Sequence, residues 1–261
     1  MDKRIGVVLL NWNGAEFTVP CLQSIFASVR RPWKIVVVDN VSTDGSPDLL
    51  ESSFPTVTIL RNPRNLGFAG GNNVGIRHLL AEADLVWILN NDTEVHPQCL
   101  GMLVAQLDAD PGLAAVSGKI LFASPPDRIW YTGAQWRWWS LTASHRGAME
   151  QDVGQYNIPG DVGFISGCCM LVRAVDLKQV GALDERYFVY DEDAEWCLRA
   201  LKAGLKLAVP SYAQAVERPR DSAEAIEYVS DVLKDELTGG CPIASSQFPL
   251  LQDTIRQPNR S

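Results

Sequence analysis

Three short, unbroken apolar runs, Ile5–Leu10, Ile35–Val38 and Leu85–Leu89, constrain what this 261-residue chain can fold into. A strand with one wet face alternates apolar and polar residues. A strand buried on both faces reads as a continuous apolar run, and such strands belong to parallel sheets covered by helices. Helical patterns separate the runs, over about 16–29, 47–53 and 68–82, and Thr56–Leu60 is a further strand candidate. Ser46 before Pro47 reads as an N-cap with proline at the first helical position. A helix from Pro97 to about 109 and a strand at 113–118 continue the series. The βαβαβαβ order predicts an α/β fold, a doubly wound, mostly parallel sheet flanked by helices.

The middle of the chain, 124–160, is less regular and carries Trp130, Trp136, Trp138 and Trp139. These read either as core or as an apolar wall for a sugar ring or nucleotide. Regularity returns with a strand over Phe164–Val172, helices near 174–180 and 191–203, and a strand at Lys206–Val209. A charged helical stretch is expected at about 220–236, followed by a flexible tail rich in Pro, Ser and Gln.

The 23 basic residues against 31 acidic ones argue against a nucleic-acid partner. No apolar run exceeds six residues, so no transmembrane helix is expected, and Met1–Arg4 leads straight into a strand, so neither is a signal peptide. Six cysteines without any CxxC read as reduced thiols of a cytosolic protein.

Polar residues gather after three of the strands, where open α/β sheets bind ligands. They are Asn11–Gly14, Asp39–Ser46 and Asn90–Thr93. Asp39 can accept the imide N–H of a pyrimidine, and Trp12 can stack on that base. Asp44 and Ser46 read more simply as caps. Asp92 leaves a buried strand, where a lone charge is costly, and a hard divalent cation with phosphate oxygens would satisfy it, helped by Asn90 and Asn91. The run Asn65–Asn73 is not GxGxxG. Its small residues let a backbone approach either a ligand or the neighbouring strand. A second acidic centre, Asp191, Glu192, Asp193 and Glu195, opens a helix after the aromatic run Tyr187–Tyr190. It can cap the helix, or point Asp193, which shares a face with Cys197 and Ala200, into a pocket.

Together the stretches VVLLNWNG (7–14), VVVDNVSTDGS (36–46), NLGFAGGNN (65–73), WILNNDT (87–93), FISGCCMLVR (164–173), GALDERYFVYDEDAEWCLRALKAG (181–204) and VPSYA (209–213) resemble glycosyltransferase family two, the inverting GT-A enzymes, in its rhamnosyltransferase-like branch. The resemblance covers about residues 4–214. It implies a GT-A domain over 1–215, with a Rossmann-like nucleotide-binding half and an acceptor half, and leaves 216–261 as an atypical C-terminal helix and tail. By the same resemblance Asp39 reads the base, Asp92 binds Mg²⁺ or Mn²⁺ with Asn90 in place of a first Asp, and Asp193 is the catalytic base. Asn11, Trp12, Asn13, Asn65, Gly67, Asn73 and Asn91 join Asp39 on the nucleotide side, and Gly167, Tyr190, Asp191 and Glu192 form the acceptor side.

The implied activity is transfer of rhamnose or a hexose, with inversion, from a dTDP- or UDP-linked donor to a hydroxyl of a saccharide or lipid-linked saccharide in surface polysaccharide synthesis. The implied location is cytoplasmic, with association at the cytoplasmic face of the membrane. The departure is a histidine that relatives carry after the last strand. Here Glu217 stands in that region, and His78, His96 and His145 all lie upstream. That departure keeps a catalytically inactive sugar-nucleotide or glycan-binding protein of the same fold as the alternative. A nucleotidyltransferase would want a basic loop after the first strand, which Asn11–Gly14 lacks.

Overall fold

The computed structural model describes residues 2–137, 142–210 and 213–217. In chain order the first elements are β1 (Ile5–Asn11), α1 (Ala15–Phe26), β2 (Lys34–Asp39), α2 (Ser46–Ser53), β3 (Thr58–Arg61), α3 (Gly67–Leu79) and β4 (Leu85–Leu89). There follow β5 (Thr93–Val95), α4 (Cys99–Ala109), β6 (Leu113–Ser117), β7 (Lys119–Phe122), β8 (Ile129–Tyr131), β9 (Ala134–Arg137), β10 (Thr142–His145) and β11 (Gly160–Asp161). The last are β12 (Cys169–Arg173), α5 (Ala174–Val180), α6 (Glu192–Lys202), β13 (Lys206–Val209) and β14 (Gln214–Glu217).

The main sheet has eight strands in the order β11-β13-β6-β12-β4-β1-β2-β3. The four strands β3, β2, β1 and β4 are mutually parallel, as the apolar runs predict. β12 lies antiparallel between β4 and β6, and β13 is again parallel to β6. The strand expected over Phe164–Val172 starts only at Cys169, and the residues before it form a loop at the sheet edge. A smaller sheet, β5-β14-β7-β8, and the β9–β10 hairpin were not expected from the pattern. β14 pairs with both β5 and β7, so the fold runs past residue 215 to at least Glu217. The expected helix at 220–236 and tail, with Trp138, Trp139 and Cys241, lie outside the described residues.

Two alternatives from the sequence resolve here. The glycines of α3 serve packing: a Cβ at Gly71 would come within 2.4 Å of Leu10, and one at Gly75 within 2.6 Å of Val8. Their absence lets the helix settle onto β1. Ser46 is not the cap of α2. Gly45, with φ of +78°, takes the N-cap position, and the Asp44 carboxylate accepts from the Ser46 N–H at 2.9 Å. Cys21, Cys99, Cys168, Cys169 and Cys197 are free and buried. Among the described residues no helix is long and apolar enough to cross a membrane.

A buried ion pair ties the small sheet to the loop before β11. Lys119, 2% exposed, sends its ammonium to Asp152 (2.6 Å) and to the side-chain oxygen of Asn157 (2.7 Å). Removing one partner of such a pair strands the other charge, at a cost of about 3–5 kcal/mol. Asp152→Ala is therefore expected to destabilise by about that much, whereas Lys119→Met should cost less because Asp152 reaches solvent. Chemical denaturation of both variants tests this, and equal, small losses would contradict it.

Candidate active site

The site grows out of the carboxyl edge of the parallel strands. β4 ends at Leu89, opposite Cys169 at the start of the antiparallel β12. The loops on either side therefore meet: the Asn90 N–H donates to the Cys168 carbonyl at 3.0 Å. One residue earlier, the Gly167 N–H donates to the Asp193 carboxylate at 2.7 Å. A cavity of about 440 Å³ opens over this junction. Its lining includes Trp12, Asn90, Asn91 and Asp92 from the strand ends, Phe164 to Cys168 except Ile165, and Val189 to Asp193 at the start of α6.

Asp193 is held by two backbone donors, Gly167 N–H on one oxygen and its neighbour Ala194 N–H on the other, each at 2.7 Å. Burial penalises the charged form and lifts its pKa from 3.8 to about 6, with those N–H groups opposing the rise. Glu192 is buried beside it, and one of its carboxylate oxygens has no hydrogen-bond partner. Desolvation and the Asp193 charge hold Glu192 well above the usual carboxylate range. The acidic run is thus more than a cap: Asp191, the N-cap residue, makes no side-chain cap bond, and Glu195 pairs with Arg199 at 2.8 Å. The turn that delivers these groups is strained. Tyr190 and Asp191 both sit at positive φ, +69° and +68°, at a cost of about 1–2 kcal/mol each for an L-residue. It is braced by Phe68 N–H donating to the Phe188 carbonyl at 2.6 Å, an approach that a side chain at Gly67 would block.

The expected nucleotide residues divide. Trp12 and Asn91 line the cavity, and the Asn91 amide donates to Thr18 Oγ1 at 2.8 Å. Asn11 and Asp39 lie beneath, buried in a polar network: the Asn11 amide donates to Asp39, Ser42 and Ser46, and Asp39 also accepts from the Ser42 hydroxyl and N–H. Asp39 is therefore not an exposed loop acceptor, and its removal would unpair several buried donors. Asn13 braces the 42–46 loop by accepting from Thr43 N–H at 2.7 Å. Asn65 accepts from Asn40 and from Gly67 N–H, and Asn73 clamps the Leu183 backbone and Glu185. Asn65, Gly67 and Asn73 do not line the cavity. On the acceptor side, Gly167, Tyr190, Asp191 and Glu192 all do.

Sequence reasoning passed over His145, which lines the same cavity with Trp130 and Phe164. Nothing in an irregular stretch marks one histidine as inward-facing. Among the described lining residues stand four carboxyl groups, Asp92, Asp191, Glu192 and Asp193, and no lysine or arginine. No group of three or more His, Cys, Asp or Glu side chains forms a ready metal cage among the described residues. The Asn90 amide oxygen is buried in this lining without a hydrogen-bond partner. With Asp92 it offers an all-oxygen partial set that suits a hard cation whose other ligands come from substrate phosphate. Glu217 lies opposite Thr93 in the β14–β5 register, one residue from Asp92.

Three comparisons place the fold and the family. The chain is 31% identical over 237 residues to the N-acetylglucosaminyl-diphospho-decaprenol L-rhamnosyltransferase of Mycobacterium tuberculosis, covering 81% of this chain and 75% of that one. It is 29% identical over 210 residues to the galactofuranosyltransferase GlfT1 of the same organism, covering 78% and 67%. Among solved structures, GalNAc-T7 with UDP, GalNAc and Mn²⁺ superposes with a TM-score of 0.69 at 16% identity, over 84% of this chain and 44% of that one, so the likeness to it is one of fold, the GT-A type. The model of glycosyl transferase family 2 matches residues 6–181, a span holding β1 to β4 and the Asn90–Asp92 loop, and the chain belongs to that family.

Proposed function

We propose that this protein is a metal-dependent inverting glycosyltransferase. In this reading a nucleoside-diphosphate sugar, dTDP- or UDP-linked, lies across the carboxyl edge of the sheet and gives its sugar, rhamnose or a hexose, to a hydroxyl of a saccharide or lipid-linked saccharide. The observation that carries the reading is Asp193: a carboxylate in the cavity wall, with a pKa raised to about 6, two residues from the strained turn that aims it. A general base works best when its pKa lies near the working pH.

Asp193 takes the proton of the acceptor hydroxyl as that oxygen forms its bond to the anomeric carbon, while the bond from that carbon to the diphosphate breaks on the opposite face. A single displacement inverts the centre. Asp92 and the amide oxygen of Asn90 would hold a divalent cation, Mg²⁺ or Mn²⁺, whose chemistry there is to balance charge on the diphosphate leaving group. Electrostatics supports a cation there, because the described lining sets Asp92 and three further carboxyl groups toward an incoming dianion or trianion. A solved protein of the same fold carries Mn²⁺ with UDP. Trp12 stacks on the base, and Asp39, whose oxygens are taken up by Asn11 and Ser42, holds the loop beside it in place. The relatives' names, a rhamnosyltransferase and a galactofuranosyltransferase, support the saccharide class. Work at a lipid-linked acceptor would bring the chain to the cytoplasmic face of the membrane.

Asp92→Ala should abolish the Mn²⁺-dependent part of dTDP or UDP affinity in calorimetry, and an unchanged metal-dependent affinity would remove Asp92 from that role. The rate of sugar transfer at saturating donor should be level above about pH 7 and fall through about pH 6, since protonated Asp193 accepts no proton. Asp193→Asn should abolish that limb with the turnover while keeping donor affinity. An amide satisfies only one of the two N–H donors but carries no desolvated charge, so the two effects on stability oppose each other and the variant should stay folded. A variant that turns over normally would remove Asp193 as the base, and a parent that binds nucleotide but transfers no sugar would favour the binding-protein alternative.

A further inference from the structure

We infer that His145 is a positioning residue for the acceptor saccharide, set in an aromatic subsite with Trp130 and Phe164. The inference rests on the transfer reading and deepens it.

The wall of the cavity has an order along one short segment. Phe164, Ser166, Gly167 and Cys168 all line it. At the far end Cys168 is bonded to Asn90 and so to the Asn90–Asp92 loop; Gly167, next, holds Asp193. At the near end Phe164 stacks on His145, ring centroids 5.9 Å apart and planes 29° from parallel. Asp193 therefore stands between the diphosphate side and the aromatic side. A base that takes a proton from the attacking oxygen has the leaving group on one side and the acceptor on the other, which assigns the aromatic side to the acceptor.

The aromatic side is a built site and not a loose surface. Trp130 meets the imidazole edge-on at 5.9 Å and Tyr131 at 5.5 Å. The hairpin that carries His145 is pinned at both flanks: His145 pairs with Ala134, Ala134 bridges to Phe164, and Arg146 exchanges bonds with Gly133 and Thr132. Tyr131 spends its hydroxyl on the Phe164 carbonyl at 2.6 Å. Burial favours the neutral form of the imidazole. A neutral ring keeps a lone pair on one nitrogen, so it can accept from a sugar hydroxyl. Aromatic faces offer the C–H surface of a sugar ring an apolar partner. The transfer mechanism uses none of these groups, which leaves them for orienting the nucleophilic hydroxyl over Asp193.

Kinetics with three proteins tests this: parent, His145→Phe, which keeps a ring in the stack but no acceptor nitrogen, and His145→Gln, which restores a polar side chain. The acceptor probe is N-acetylglucosaminyl diphosphate on a short prenyl chain, and the donor is whichever dTDP- or UDP-sugar the parent turns over. His145→Phe should raise the acceptor KM roughly three- to tenfold, the range for one neutral hydrogen bond, with donor affinity by calorimetry and thermal stability held. His145→Gln should recover part of that loss. An unchanged acceptor KM in His145→Phe overturns the subsite and leaves the transfer reading standing. A loss of donor affinity instead assigns His145 to the diphosphate side. A parent that releases no nucleotide with any donor or acceptor ends the transfer reading, and the subsite with it.

Discussion

The site hangs on one reversal of strand direction. Had β12 run parallel to β4, its start would lie at the opposite edge of the sheet, and Gly167 would be a strand length away from Asn90. Because it runs antiparallel, its first residue, Cys169, faces the last residue of β4, Leu89. Two hydrogen bonds from backbone N–H groups then join the three segments that matter: Asn90 to the Cys168 carbonyl, and Gly167 to the Asp193 carboxylate. Neither bond needs a particular side chain at its donor. Both need the loop before β12 to be short and close, and a Cβ at Gly167 would sit in ordinary contact, 3.5 Å, with Asp193 and Phe68. The distance between the proposed metal loop and the proposed base is thus fixed by main chain packed on a core, the kind of support that holds a constellation to sub-ångström tolerance.

What was legible in the sequence follows from which interactions are local. The continuous apolar runs gave β4 as Leu85–Leu89 and β13 as Lys206–Val209 with the observed bounds, because a strand buried on both faces carries its own signature. The short strands carried none. β5 has three residues and β14 four, and what makes β14 a strand is its pairing with β7, nearly a hundred residues earlier. The site divides the same way. A charge after a buried strand and an acidic run at the start of a helix are both conspicuous, so Asp92 and Asp193 stood out. His145 did not, since its place in the cavity depends on a hairpin register and a bridge to Phe164. Asn65, Gly67 and Asn73 stood out for the opposite reason: amides and glycines in a loop serve a ligand or the protein's own backbone equally well, and here hydrogen bonds to Asn40, Phe188 and Leu183 claim them.

The buried polar network under the first two strand ends has a similar logic. Asn11 uses one amide to join Asp39, Ser42 and Ser46, and its oxygen accepts from Thr18. Such a network is stable only when its members are all satisfied, and it then fixes the loops that carry it. It holds Trp12 and the 42–46 loop at the rim, with Asn13 and Val41 pushed to positive φ to close the turn. In the proposed function, rigidity at this rim would lower the conformational cost of seating a flat base against Trp12.

The catalytic and the binding-only readings differ in what they ask of the first turn of α6. A protein that merely holds a sugar nucleotide gains nothing from burying Asp193 and Glu192 side by side, both of which are harder to ionise there than in an unfolded chain. A carboxyl whose folded pKa is raised destabilises the fold as pH climbs from its ordinary pKa to the raised one, by roughly 1.4 kcal/mol for each pH unit between the two. For Asp193 that loss accumulates between about pH 4 and about 6 and is complete at neutral pH, where two left-handed residues add their own strain. Capping does not account for it, since Asp191 makes no cap bond and an exposed aspartate would serve the helix dipole without desolvation. The same burial that costs stability raises proton affinity, which is the property a general base needs in order to take a hydroxyl proton near neutrality. The first turn of α6 is arranged for proton acceptance at the expense of stability, and that favours the transferase over the silent binder.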